Sequence, residues 1–234
     1  MIDYVQSEVA PSALGEICRR IADMSEEARS FVDGRQSLAK SLDVLTGHRL
    51  HQDAVLLLAH ALTEQEAVWW ACRCLRDSGE GDAASQAALQ AVERWVTDPC
   101  EEHRRAGYQA AEAAGFGTAA GCLAFAIWSE CDAAPDALPG QQPKGERTAP
   151  MVAKAVLMAA VIDGRGEIIQ DAEVILGRLA RDIQLGIAVA DGSDRWPERP
   201  LQPQAGTQPQ PDQPPRPPVP PVEKRPTPKM LDWD

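Results

Sequence analysis

The chain has 234 residues, enough for one ordinary domain with its own hydrophobic core and an appended tail, without disulfides or metals to hold it. Lys plus Arg total 23 against 35 Asp plus Glu, a formal charge of -12, so phosphate backbones and anionic membrane surfaces should repel it and nucleic acid is not an expected partner. No stretch approaches the ~20 uninterrupted apolar residues of a membrane span, and the opening MIDYVQSEVA has neither the basic start nor the apolar core of a signal peptide, so no membrane insertion is expected and the cytoplasm is the expected location.

From Pro11 to about Ala188 apolar residues recur at helical spacing, alanine is abundant and alternating β-branched runs are nearly absent, which predicts an all-α fold. A first helix is expected over Ser12 to Asp23, with Leu14, Ile17, Cys18 and Ile21 along one stripe. A short helix follows from Ser25 to Val32, ended by Gly34. Ser37 to Leu45 and Gln52 to Leu62 read as a helical hairpin about Gly47. Thr63 then stands three residues before Glu66, the spacing of a capping box, and predicts a helix over Glu64 to Asp77. Further helices are expected at Asp82 to Thr97, Cys100 to Ala114, Thr118 to Cys131, Pro150 to Ile162 and Glu167 to Gly186, punctuated by Gly and Pro. Asp163-Gly-Arg-Gly-Glu167 is read as a tight turn, and residues 133–149 as an irregular loop.

About ten helices without a repeating period suggest a compact orthogonal multi-helix bundle or a short stack of helical hairpins over residues 1–190. Beyond Trp196 the composition changes: 13 of the 19 prolines fall between Pro197 and Pro228, so 191–234 is expected to be a disordered, proline-rich tail of polyproline-II and coil. Its tip, Lys229 to Asp234, places Met230, Leu231 and Trp233 where a docking peptide would carry them.

Chemistry is sparse. Cys18, Cys72, Cys74, Cys100, Cys122 and Cys131 lie mostly within apolar helical patterns and read as reduced core residues. Cys72 and Cys74 are two apart, so on a helix their thiols point to nearly opposite sides; His48 and His51 straddle a helix start without further ligands at zinc-site spacing. Gly115 to Gly121 lacks the strand that should precede a dinucleotide loop and reads as a helix cap and turn. No nucleophile elbow, P-loop or metalloprotease motif occurs, so no catalytic residue, cofactor or metal ligand is assigned. Trp69 and Trp70, about 100° apart on a helix, either both fill a junction between helices or divide, one in the core and one in a groove or interface.

The segment His60-Ala-Leu-Thr-Glu-Gln-Glu-Ala-Val-Trp-Trp-Ala-Cys-Arg-Cys-Leu-Arg76, with Trp95, Pro99, Ala124-Phe-Ala-Ile-Trp-Ser129, Ala153 to Val161 and Leu179 to Gly186, resembles an uncharacterised bacterial domain family over roughly residues 45 to 190. Where relatives tend to have Gly-Gly-Ser after the Trp-Ser, this chain has Glu130-Cys131-Asp132. The resemblance carries no activity; it implies accessory proteins of type VI secretion loci, and hence adaptor or loading work on effector or spike components. The expected function is therefore non-catalytic protein binding, with Trp69, Trp70, Trp128, Met230, Leu231 and Trp233 as candidate contacts. The alternative is a small-molecule binder or enzyme with Trp69, Trp70 and Trp128 as pocket walls and His60 or Glu66 as polar contacts.

Overall fold

A computed structural model of the chain describes residues 11–32, 34–79, 81–129, 147–163 and 165–197. The expectations for the proline-rich arm, for Met230, Leu231, Trp233 and Cys131, and for most of the 133–149 loop lie outside the described residues. Within them the secondary structure is helical, in ten segments with no strand.

Side-chain caps set where several helices begin. After α1 (Pro11–Arg20), Ser25 accepts from the Ala28 amide to open α2 (Glu26–Phe31), and Ser37 does the same for Lys40 at α3 (Leu38–Gly47). The chain passes through Arg49, at φ 62, into α4 (His51–Ala61). The expected capping box is formed at α5 (Glu64–Asp77): the Glu66 carboxylate accepts from the Thr63 amide at 2.9 Å, and the Thr63 hydroxyl accepts from the Glu66 amide at 3.4 Å. Asp82 caps α6 (Ala83–Thr97), and Gly115, at φ 83, closes α7 (Glu101–Ala114) as a left-handed residue should.

α8 (Ala119–Ser129) is apolar on nearly every side and correspondingly enclosed. The last two helices depart from the expected boundaries for local reasons. α9 (Thr148–Ala160) begins two residues before Pro150, which its first turn tolerates because a proline there removes no intrahelical bond. α10 (Ala172–Ala190) begins five residues later than Glu167. The Asp163 carboxylate accepts from the Arg165 and Glu167 amides, each at 2.9 Å, and Ile162 pairs with Ile168 in an isolated antiparallel bridge. These bonds hold the segment as a turn until Asp171 can cap the helix.

Helices α6, α7, α8 and α9 pack in sequence order, but α9 also lies against α4 and α5, and α10 against α4, α5 and α9. A linear stack would confine contacts to neighbouring repeats; these long-range pairings close the chain into a bundle around one core. Trp70, Trp95, Leu57, Leu58, Leu123 and Ile127 are fully enclosed there, each worth about 1.5–3 kcal/mol of burial. Close approach depends on two glycines: a Cβ on Gly186 of α10 would collide with Leu58, and one on Gly107 of α7 would collide with Ile127. The chain stays in the body past α10, with Trp196 packed on the core.

Candidate functional site

On α5, Val68, Trp70, Ala71 and Leu75 face inward. Trp70 is wholly buried and donates its indole N–H to the Asp182 carbonyl of α10 at 2.7 Å. Trp69 is half-buried. Its N–H reaches the Asp194 carboxylate at 3.2 Å, Arg73 pairs with the same carboxylate at 3.3 Å, and the Arg73 guanidinium sits 5.8 Å from the indole centroid. The two rings therefore divide, one in the core and one in a polar seam against the residues after α10, and neither borders the apolar opening beside α8 and α9.

That opening is built by stripes on three helices. Along α8, Cys122, Phe125 and Trp128 follow one another three residues apart on one face. Phe125 and Trp128 are the two side chains of that helix left half-exposed. From α9 come Met151, Lys154, Leu157 and Met158, at helical spacing, and from α4 Gln52 and Leu56. Tyr108 of α7 and Phe116 of the following turn complete one wall, with Asp23 at the far rim. The groove has a volume of about 1220 Å³, and its surface is mostly apolar.

The aromatic wall is continuous. Tyr108 lies 5.3 Å from Trp128, 5.9 Å from Phe116 and 6.3 Å from Phe125 between centroids, all tilted, while Phe116 and Phe125 meet edge-on at 5.2 Å. Phe116 is 45% exposed, unusual for so large an apolar ring. The charge of Glu112, one turn along α7, pushes the Tyr108 pKa above its ordinary value. Burial does the same to Cys122, against the opposing charge of Lys154, and its thiol points to the Met151 carbonyl at 3.6 Å. Cys122 is thus held as a thiol and has none of the features of an activated nucleophile.

Glu66 is committed to the α5 cap, and His60 is half-buried, its pKa lowered by burial and by Arg20 while Asp23 opposes. Cys72 and Cys74 are both enclosed, and burial pushes both thiols up. His48 stacks on Phe31 at 3.9 Å, whereas the buried His51 leaves Nδ1 without a partner among the described residues. A polar pit of about 60 Å³ between α5, α9 and α10 holds Cys74, Arg178 and Asp182. There burial raises the Asp182 carboxyl to about 6, although the Cys74 thiol bonds to it.

Of the expected contacts among the described residues, Trp128 is the one placed on the groove; Tyr108, Phe116, Phe125 and the α9 stripe were not singled out from sequence. The i, i+3 pair Phe125 and Trp128 was legible, but an all-apolar helix gives no sign of which face stays uncovered. No described helix is long and apolar enough to cross a membrane. Ten helices among the described residues, bundled around one core and opening on an aromatic groove, define an all-α domain. Residues 41–189 match a family of unknown function, DUF6931, and the chain belongs to it. No curated protein and no solved structure matches the chain.

Proposed function

We propose that the protein is a non-catalytic holder of other proteins that receives a basic amphipathic helix of its partner in the aromatic groove between α4, α7, α8 and α9. The observation that carries this reading is the groove itself: about 1220 Å³, apolar and open. Pockets that enclose small ligands hold roughly 300–1000 Å³ and bury most of the ligand. A helix laid in a groove instead presents a row of apolar anchors, and methionines such as Met151 and Met158 adapt to such a row. The chain's charge of -12 supports a partner segment that is basic on its outer face, because complementary charge speeds encounter and disfavours acidic competitors. The finer reading, that the held protein is an effector or spike component of type VI secretion, rests on the resemblance carried by the His60 to Arg76 segment.

The test titrates a leucine-rich, lysine-faced helical peptide against the full chain, beside a peptide of identical composition scrambled to abolish its apolar face. Tighter binding of the amphipathic peptide, weakened about tenfold or more by Phe125→Ala with Trp128→Ala, supports the reading. Equal binding of both peptides, or indifference to the two substitutions, rejects it. Tight binding of a small apolar ligand with no peptide binding would favour a small-molecule role.

A further inference from the structure

Away from the groove, the corner between α6 and α7 carries three metal-ligating side chains in six residues: Asp98-Pro99-Cys100-Glu101-Glu102-His103. Asp98 closes α6, Cys100 occupies the N-cap of α7 and His103 lies in that helix's first turn. An N-cap side chain and the residue three positions on stand next to each other at any helix start, so the fold brings the thiol and the imidazole together. One ligand atom each from Asp98, Cys100 and His103 lies within 4.8 Å of the others. We infer that this corner is a binding site for a zinc-like divalent cation, held by the Asp98 carboxylate, the Cys100 thiolate and the His103 imidazole.

Two observations set the corner apart from an ordinary helix start. Ser, Thr, Asp and Asn are the side chains that cap helices well; Cys100 stands in that position with extended backbone and makes no capping bond, so the helix end gives no reason for a thiol. Cys100 is also half-exposed, whereas Cys18, Cys72, Cys74 and Cys122 are buried. The His103 ring is already positioned: Nδ1 is 2.8 Å from the Asp98 carbonyl oxygen and 4.0 Å from its Oδ2. A backbone carbonyl that orients the imidazole is the usual support of a metal-bound histidine.

The donor set selects the metal. Thiolate and imidazole suit zinc and its borderline neighbours rather than calcium or magnesium, which take oxygen. Zinc bonds of about 2.0–2.3 Å place tetrahedral donors about 3.3–3.7 Å apart, so the three side chains need close by no more than about 1.5 Å. The His103 and Asp98 side chains are 25% and 39% exposed and can make that adjustment. Three protein ligands leave a fourth position for water. The positive end of α7 opposes a cation; Asp98, Glu102 and the bound thiolate oppose that field. The two nearby arginines are turned to other carboxylates, Arg104 to Glu64 at 2.9 Å and Arg105 to Glu101 at 3.2 Å.

Cobalt(II) alone is the probe, added to the reduced full chain with Cys131→Ser so that the remaining thiols are Cys100 and the four buried ones. The expected result is a thiolate-to-cobalt charge-transfer band with tetrahedral ligand-field bands, saturating at one equivalent and displaced by zinc. Cys100→Ser should abolish the charge-transfer band. Asp98→Asn and His103→Gln should each weaken cobalt binding about tenfold or more, with helicity by circular dichroism unchanged at these half-exposed positions. Absence of a charge-transfer band at saturating cobalt, its survival in Cys100→Ser, or unchanged affinity in His103→Gln would overturn the site.

Discussion

Trp70 of α5 and Trp128 of α8 are the same side chain on two largely buried helices, yet one ring is wholly enclosed and the other borders an open groove. The difference lies in what the neighbouring helices bring. Over Trp70, α10 offers Gly186, whose missing side chain lets the backbone approach until the indole reaches the Asp182 carbonyl. Beside Trp128, α9 presents Met151, Leu157 and Met158, side chains that hold the facing surfaces apart. Enclosure of an aromatic residue is thus decided by the smallness of its partner, a property of the pair rather than of either helix.

Removing the enclosed ring has the largest expected effect. Trp70→Ala leaves a cavity and removes the indole bond to the Asp182 carbonyl, and should cost about 3–5 kcal/mol by denaturant unfolding. A loss below about 1 kcal/mol would show that the α5 to α10 contact does not hold the bundle.

Asp182 sharpens the same contact, because its backbone receives Trp70 while its side chain is buried at a cost. With the carboxyl raised from 3.8 to about 6, the folded state keeps a proton that the unfolded state has released, so stability falls as pH rises through that window. Asp182→Asn removes the penalty and still accepts the Cys74 thiol. It should stabilise the protein by up to about 3 kcal/mol at pH ~8, with the gain shrinking below pH ~4. Parallel unfolding curves for the two proteins at both pH values test the sign, and an equal gain at both would remove Asp182 as the titrating group.

The helical reading succeeded where the signal is local. Thr63 and Glu66 cap α5 through bonds between neighbours, and Gly115 ends α7 by its own backbone preference. The start of α10 was misplaced because the Asp163 turn and the Ile162 to Ile168 bridge compete with helical spacing in a segment whose apolar residues fit either. For the site, Trp128 was visible as an aromatic residue, but Tyr108, Phe116 and Met158 become a wall only through packing among α7, α8 and α9. No pattern within one helix encodes that meeting. The Asp98, Cys100 and His103 corner was missed for another reason: it joins three different residue types across the turn between α6 and α7, whereas like residues, Cys72 with Cys74 and His48 with His51, are the pairs that stand out in the sequence.

Gly186→Ala tests the enclosing side of the comparison directly. Its Cβ would press on the Leu58 side chain and approach the Trp70 indole nitrogen to 3.0 Å. Overpacking of this kind typically costs about 1–3 kcal/mol, despite the ~1 kcal/mol that alanine gains over glycine in a helix interior. A variant more stable than the parent by thermal unfolding would mean that α10 can move away freely, and that glycine is not what seals Trp70.

The smallest stability effect should come from the open side, at Phe116. Its ring is 45% exposed and meets Phe125 edge-on at 5.2 Å and Tyr108 at 5.9 Å. Truncation to alanine forfeits part of an aromatic contact worth about 0.5–1.5 kcal/mol and little burial, so Phe116→Ala should unfold within about 1 kcal/mol of the parent. The same change removes one end of the apolar wall, and an environment-sensitive apolar dye should lose affinity and fluorescence on the variant while helicity by circular dichroism is unchanged. A stability loss comparable with that of Trp70→Ala would place Phe116 in the core and close the groove; unchanged dye binding would move the exposed apolar surface elsewhere. A small loss of stability with a large loss of dye binding separates the two aromatic clusters by the quantity that distinguishes them, the presence or absence of a covering helix among the described residues.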